Sequence, residues 1–310
     1  MASKTYILCP GQGAQCLGMG KDLFEASPAA RSAFETANRV LGYDLASICF
    51  NGPEDRLNQT DISQPAIFIT SVASVGAAID ARLIDPERVT ACAGLSLGEY
   101  TALFLAGVFS LEAGLKLVAA RGKYMQEAAV AVPSGMVAVL GADEPAVQKL
   151  CAEAAQGQVL TPANLNAPGQ IVVSGAKEAC QRVLAAAEAA GFKATALKVA
   201  GAFHSALMQP AADRMKAELD QVQFAAPSVP VYSNVTAQPH GDAASIKQRL
   251  VEQIVSPVLW EATMRALVAN QGARFVELAP GRTLAGLAKR IERRLPIESV
   301  ATAEALAAAK

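Results

Sequence analysis

The chain has 310 residues, 52 % of them hydrophobic, a formal net charge of −1 and six cysteines with no Cys-x-x-Cys pair. That length exceeds one small domain and supplies ample apolar surface, so two lobes are expected. A near-zero charge without a long basic block gives no electrostatic footing for nucleic acid, and all six cysteines, with Cys9 and Cys92 on buried strands, read as reduced packing residues rather than disulfides or metal ligands.

In chain order, a first strand is expected over residues 6–9, leading into Gly11-Gln12-Gly13-Ala14-Gln15. Residues 89–93 are short, apolar and partly β-branched, as in a buried strand, and 99–106 opens a helix. Between them lies Gly94-Leu95-Ser96-Leu97-Gly98. A serine at such a strand-to-helix elbow sits on a strained backbone with its hydroxyl exposed, and glycines on either side supply room that a side chain would fill. Ser96 is therefore the candidate nucleophile; the competing reading is a glycine-rich turn that only packs.

From Ser110, a plausible N-cap, Leu111, Leu115, Val118, Gly122 and Met125 trace one apolar helical face, and Arg121 falls on that face. A buried guanidinium must be paired. It can meet an internal carboxylate, snorkel to solvent, or grip a substrate carboxylate with its planar fork.

Between about residues 135 and 199 the pattern reads strand 136–140, helix 144–155, strand 159–163, strand 171–174, helix 177–190, strand 194–199. That order, βαββαβ, is the ferredoxin-like arrangement. It interrupts a larger α/β body with strands at 6–9, 89–93, 229–232 and 275–278, which alternate with helices and argue a mainly parallel sheet. The expected organisation is a larger, α/β-hydrolase-like catalytic lobe from 1–131 and 200–310, with a small lobe inserted at 132–199. Asn164 and Asn166, in the loop expected between the small lobe's middle strands, either line the cleft between lobes or serve the turn at Pro168-Gly169.

A serine nucleophile needs a base, and the chain has only two histidines. His240 lies in Gln238-Pro239-His240-Gly241-Asp242, a run of turn formers that reads as an exposed loop. His204, in Ala202-Phe203-His204-Ser205, lies where the strand at 194–199 meets a helix starting near Ser205, a junction of the kind where α/β folds collect their chemistry. His204 is the better partner for Ser96, in a cleft between the lobes. Lys289, Arg290, Arg293 and Arg294 are expected on one side of a C-terminal helix, where they serve either solubility or an acidic partner.

Taken together and in order, the Gly11–Gln15 run, the Gly-Leu-Ser-Leu-Gly elbow with Glu99-Tyr100, Ala120-Arg121-Gly122, Ala202-Phe203-His204-Ser205, and Gln253 before Pro257 resemble the malonyl-CoA:acyl-carrier-protein transacylases from about residue 5 to about 295. The resemblance implies that Ser96 accepts a malonyl group from malonyl-CoA and passes it to the phosphopantetheine thiol of acyl carrier protein for fatty acid synthesis. It implies His204 as general base, oriented by the backbone carbonyl of Gln253. It also implies the N–H groups of Gln12 and Leu97 as the oxyanion hole, and Arg121 on the malonyl carboxylate. Phe203 is similar to malonyl-selecting members, where a large ring leaves little room for a methyl branch. Many members carry a histidine immediately before the nucleophile; here that position is Leu95.

No cofactor or metal is expected, and a monomer is the default. No apolar stretch approaches about 18 residues, and residues 1–9 lack a charged leader with an apolar core. No membrane partner is therefore expected, and the expected compartment is the cytoplasm, or an organellar stroma or matrix if a transit peptide was removed. The alternatives in function are a serine esterase or thioesterase that delivers the acyl group to water, an acyltransferase of a polyketide pathway, and a non-catalytic docking module.

Overall fold

The computed structural model describes residues 4–270 and 272–308. In chain order its strands are β1 (Lys4–Cys9), β2 (Val89–Gly94), β3 (Ser134–Leu140), β4 (Leu160–Ala167), β5 (Gln170–Ala176), β6 (Lys193–Ala196), β7 (Val231–Tyr232), β8 (Ala273–Leu278) and β9 (Ile297–Val300). Five of them form a parallel sheet in the order β7-β2-β1-β8-β9, with Ile7 of β1 in register with Cys92 on one side and Val276 on the other. Alternation along β1 divides its side chains: Ile7 and Cys9 enter one apolar core, Tyr6 and Leu8 the other. A sheet covered on both faces needs such unbroken apolar strands, and β1 is buried from Thr5 to Cys9.

The second sheet is antiparallel, β4-β5-β3-β6, with the Glu144–Ala155 and Lys177–Ala189 helices packed on it around Val137, Val139, Ile171 and Val173. Numbered within the βαββαβ segment, its spatial order is 2-3-1-4, as the ferredoxin-like pattern requires. The chain is thus an α/β fold of one parallel and one smaller antiparallel sheet. The smaller sheet is tied by backbone to the segment before the Trp260–Val268 helix: Val258 N–H donates to Ala163 O at 2.9 Å, and Leu165 N–H to Val258 O at 2.9 Å.

Several expectations about local structure are corrected. β4 runs on to Ala167, so Asn164 and Asn166 lie in a strand and not a loop; bulges at Pro162/Asn164 and Leu165/Ala167 let it pair with β5 while Asn164 also bridges Val258. β6 ends at Ala196, and its residues are mostly exposed because it is the sheet's edge; residues 197–199 leave it toward His204. β9 was not foreseen. The last basic helix, Thr283–Ile291, stops before Arg293 and Arg294, which do not share its face with Lys289 and Arg290.

The Thr60–Asp80 helix corrects the expectation of no long apolar stretch. By length and composition it could cross a bilayer, with a mean hydropathy of 1.5, yet 89 % of that window is buried within the fold. It packs against the Leu111–Ala131 and Pro28–Leu41 helices, and the buried Ser63, Gln64, Thr70, Ser71 and Ser74 break its apolar run in the sequence. Ser71 and Ser74 satisfy their hydroxyls on Ala279 O and Val300 O. Five cysteines are buried as packing residues; Cys16 is exposed.

Backbone packs directly on backbone where β1 and β2 end. A Cβ on Gly98 would stand 2.1 Å from Cys9 O, and one on Gly94 would stand 1.9 Å from the Gly98 carbonyl carbon. Neither neighbour is a side chain that can turn away. Gly98→Ala should therefore cost about 3 kcal/mol, the upper end for overpacking. Denaturant melts check this; a loss within the experimental error would show that the close approach is not required.

Candidate active site

Ser96 is the second of two residues between β2 and the Leu97–Leu105 helix, at φ 52° and ψ −104°. Positive φ is uncommon for a side chain other than glycine and persists where surroundings over-determine it. Here they do: Asn234 Oδ1 accepts from Ser96 N–H at 2.6 Å, while Asn234 Nδ2 donates to Gly94 O at 2.7 Å. The Gly11–Gln12 turn presses on the same elbow, since a Cβ on Gly11 would lie 2.2 Å from Leu95 O.

His204 enters from the segment after β6, also at positive φ, 58°. Its Nε2 is 2.8 Å from Ser96 Oγ and its Nδ1 2.8 Å from Gln253 O. A carbonyl oxygen only accepts, so Nδ1 carries the proton and Nε2 presents its lone pair to the serine hydroxyl. Burial, then the charge of Arg121, lowers the imidazole to about 4, against the pull of backbone carbonyl contacts to Gln253 and Ser256. At neutral pH the ring is a neutral acceptor.

Arg121 is 1 % exposed. Gly122 beside it lets the Leu111–Ala131 helix approach the Thr60–Asp80 helix, where a Cβ would meet Thr60 O at 2.6 Å. Nη1 donates to Gln64 Oε1 at 2.7 Å, and Nη2 donates to Gln253 Oε1 at 2.8 Å and to Ser96 Oγ at 3.1 Å. Nε is buried with no partner among the described residues. Burial lowers the guanidinium, an effect that the Glu99 carboxylate opposes. The cation is thus held by neutral oxygens, one of them the serine hydroxyl.

The structure therefore brings Ser96, His204, Gln253 and Arg121 into one hydrogen-bonded group. Gln12 stands half-buried on the turn against the elbow, its side chain near Thr60 Oγ1 at 3.5 Å. Leu97 is the first residue of its helix, where an N–H has no intrahelical acceptor. Phe203 is 5 % exposed and packs in the main core. Asn164 is tied by backbone to Val258, and Asn166 Oδ1 is buried without a partner among the described residues; neither bonds to Ser96, His204 or Arg121. A cavity of about 470 Å³ between β4 and the Trp260–Val268 helix holds none of these residues, so hydrogen bonding and not volume locates the chemistry.

His240 corrects the sequence reading. Its side chain is fully buried, with Nε2 2.6 Å from Glu99 Oε1, because the segment after β7 folds back so that His240 N–H reaches Val231 O. Gln64 and Asn234 were missed. Asn234 had a readable signal, lying just past a parallel strand; Gln64 sits mid-helix among apolar residues and had none.

The acyl transferase domain family matches residues 5–306. The malonyl CoA-acyl carrier protein transacylase of Salmonella typhimurium is 41 % identical over 307 residues, which cover 97 % of this chain and 96 % of that protein. The malonyl CoA-acyl carrier protein transacylase structure from Coxiella burnetii superposes with a TM-score of 0.94 at 39 % identity, covering 99 % of this chain and 97 % of that one. A malonyl-transacylase solved in complex with a type II PKS acyl-carrier protein superposes with a TM-score of 0.92 at 40 % identity, covering 99 % of each chain. With a serine, a histidine and an arginine converging on one hydroxyl in a chain matched over nearly its whole length, this protein belongs to the acyl transferase family, as an acyltransferase of the malonyl CoA-acyl carrier protein transacylase group.

Proposed function

We propose that the chain transfers the malonyl group of malonyl-CoA to the phosphopantetheine thiol of an acyl carrier protein, for fatty acid biosynthesis, through malonyl-Ser96. The observation that carries this reading is the position of Arg121 Nη2, 3.1 Å from the hydroxyl that His204 contacts at 2.8 Å. A nucleophile alone does not choose its acyl group; a buried cation beside it selects one that ends in a carboxylate.

Ser96 Oγ forms a bond to the thioester carbonyl carbon as its proton passes to His204 Nε2. The carbonyl electron pair moves to oxygen and is held by the N–H groups of Gln12 and Leu97. It returns as the carbon–sulfur bond breaks, and the leaving thiolate takes the proton from His204. The carrier thiol then reverses these steps: it gives its proton to His204, attacks the acyl carbon and releases Ser96. Every proton and acyl transfer is carried by side chains and backbone amides, so the reaction as drawn needs no metal or organic cofactor. Phe203, adjoining His204, would crowd a methyl branch on the acyl group, and Asn164 and Asn166 would line the approach from the small sheet. The cytoplasm, a reducing compartment that suits six free cysteines, is the compartment we assign.

Incubation with malonyl-CoA should add one malonyl group to the intact mass, and the label should move to an added carrier protein; free malonate in its place would establish a hydrolase. Ser96→Ala should show no adduct. Arg121→Ala should lower the preference for malonyl over acetyl thioesters roughly ten- to a hundredfold, the value of one charge-assisted hydrogen bond; an unchanged ratio would remove Arg121 from substrate recognition. His204 accepts a proton only when neutral, so kcat/KM should be lost as pH falls through about 4. A pH–rate profile that already breaks near the ordinary histidine value of 6.5 would contradict the buried, neutral base.

A further inference from the structure

Glu99 lies three residues after Ser96 and is fully buried. Among the described residues no lysine or arginine pairs with it; its one ionisable partner is His240. A carboxylate out of water is costly unless donors surround it, and three do. Oε2 accepts from Asn234 N–H at 3.0 Å and from Gln253 Nε2 at 2.6 Å, and Oε1 accepts from His240 Nε2 at 2.6 Å. His240 Nδ1 is buried without a partner among the described residues. A carboxylate oxygen only accepts, so His240 carries a proton on Nε2, facing Glu99.

Two of the three donors lead to the reacting group. Asn234 also binds Ser96 N–H through Oδ1. Gln253 binds His204 Nδ1 through its backbone oxygen and Arg121 Nη2 through Oε1. The Gln253 amide has two faces, and only one arrangement serves. With Nε2 donating to Glu99 Oε2 and to Ser96 O at 3.0 Å, Oε1 is turned to the guanidinium. A flipped amide would set N–H against N–H at Arg121 and oxygen against oxygen at Glu99. His204 is indifferent to that flip, since it uses the backbone carbonyl.

We propose that Glu99, held in place by His240, is a positioning residue that fixes the Gln253 amide and through it the Arg121 fork, so that it sets selectivity for a carboxylate-bearing acyl group rather than the rate of acyl transfer in general. The inference rests on the reading in which Ser96 takes the acyl group and Arg121 its carboxylate.

The test compares Glu99→Gln, His240→Leu and His240→Gln with the parent, by KM for malonyl-CoA and by the ratio of acylation rates with malonyl- and acetyl-CoA. Glu99→Gln and His240→Leu should raise the malonyl KM and lower the ratio by about tenfold, the scale of one hydrogen bond to a charged group, with acetyl acylation within about twofold of the parent. His240→Gln, which restores an N–H donor at the place of Nε2, should keep parental values. An unchanged ratio in both Glu99→Gln and His240→Leu overturns the proposal, as do equal losses with both thioesters, which a merely structural role would give. His240→Gln impaired as deeply as His240→Leu overturns it too. Should Glu99→Gln not fold, the histidine pair decides alone. A parent that forms no malonyl-serine would defeat the proposed function, whereas a malonyl-selective parent with unaffected variants defeats only this inference.

Discussion

A hydroxyl and an imidazole 108 residues apart in sequence stand 2.8 Å from one another, and both are on backbone at positive φ. Such torsions cost of order 1–3 kcal/mol each for residues with a Cβ, and they persist only when neighbours leave no alternative. At Ser96 the neighbours are the Asn234 side chain and the glycine contacts of the elbow. At His204 they are the Gln253 carbonyl and the Ser205 hydroxyl, which turns back to Ala202 O at 2.7 Å. Parallel strands β1, β2 and β7 end together, and the segments that leave them supply the constraints on Ser96, while His204 arrives on the segment after β6. The sheet is thus a frame for one hydrogen bond.

The use of a carbonyl to orient His204 has an electrostatic reason. A carboxylate at that position would lie close to Arg121 and would pair with it, taking up the cation that faces Ser96. A carbonyl fixes the tautomer without adding charge. The nearest negative charge in the network is Glu99, kept one residue away by Gln253, whose amide passes a hydrogen bond to each side. Burial and Arg121 then leave the imidazole a weak base, lowered to about 4. It can hold a proton only in passing, which suits a chemistry in which the proton moves on to a leaving thiolate.

Much of the fold was legible because its elements follow their periodicities. The βαββαβ run and the strands at β1, β2 and β8 are short apolar segments bounded by turns, and the apolar face from Leu111 to Met125 placed Arg121 inward. What was hidden depended on long-range contacts. β6 reads as apolar yet is an edge strand, and the Thr60–Asp80 helix reads as broken because its buried hydroxyls find carbonyl partners over 200 residues away. His240 followed a run of turn formers and was read as exposed; only the fold-back onto Val231 brings it inside. Ser96, His204, Gln253 and Arg121 could be named from motif and position, but Gln64, Asn234 and the pairing of Glu99 with His240 could not be ranked without coordinates.

Arg121 sets the balance between a stable core and a receptive one. Its guanidinium meets three side-chain oxygens, from Gln64, Gln253 and Ser96, and none carries a formal charge. Neutral oxygens satisfy the donors enough to keep the cation ordered, yet each is a weaker partner than a carboxylate. In the proposed reaction an incoming carboxylate gains by replacing the longest of them, the 3.1 Å contact to Ser96 Oγ. Replacing that contact also frees the hydroxyl from a donor that draws on its lone pair, leaving His204 as its partner. On the proposed reading, substrate binding and release of the Ser96 hydroxyl are two aspects of one exchange at Nη2, which ties recognition of the acyl group to its attack.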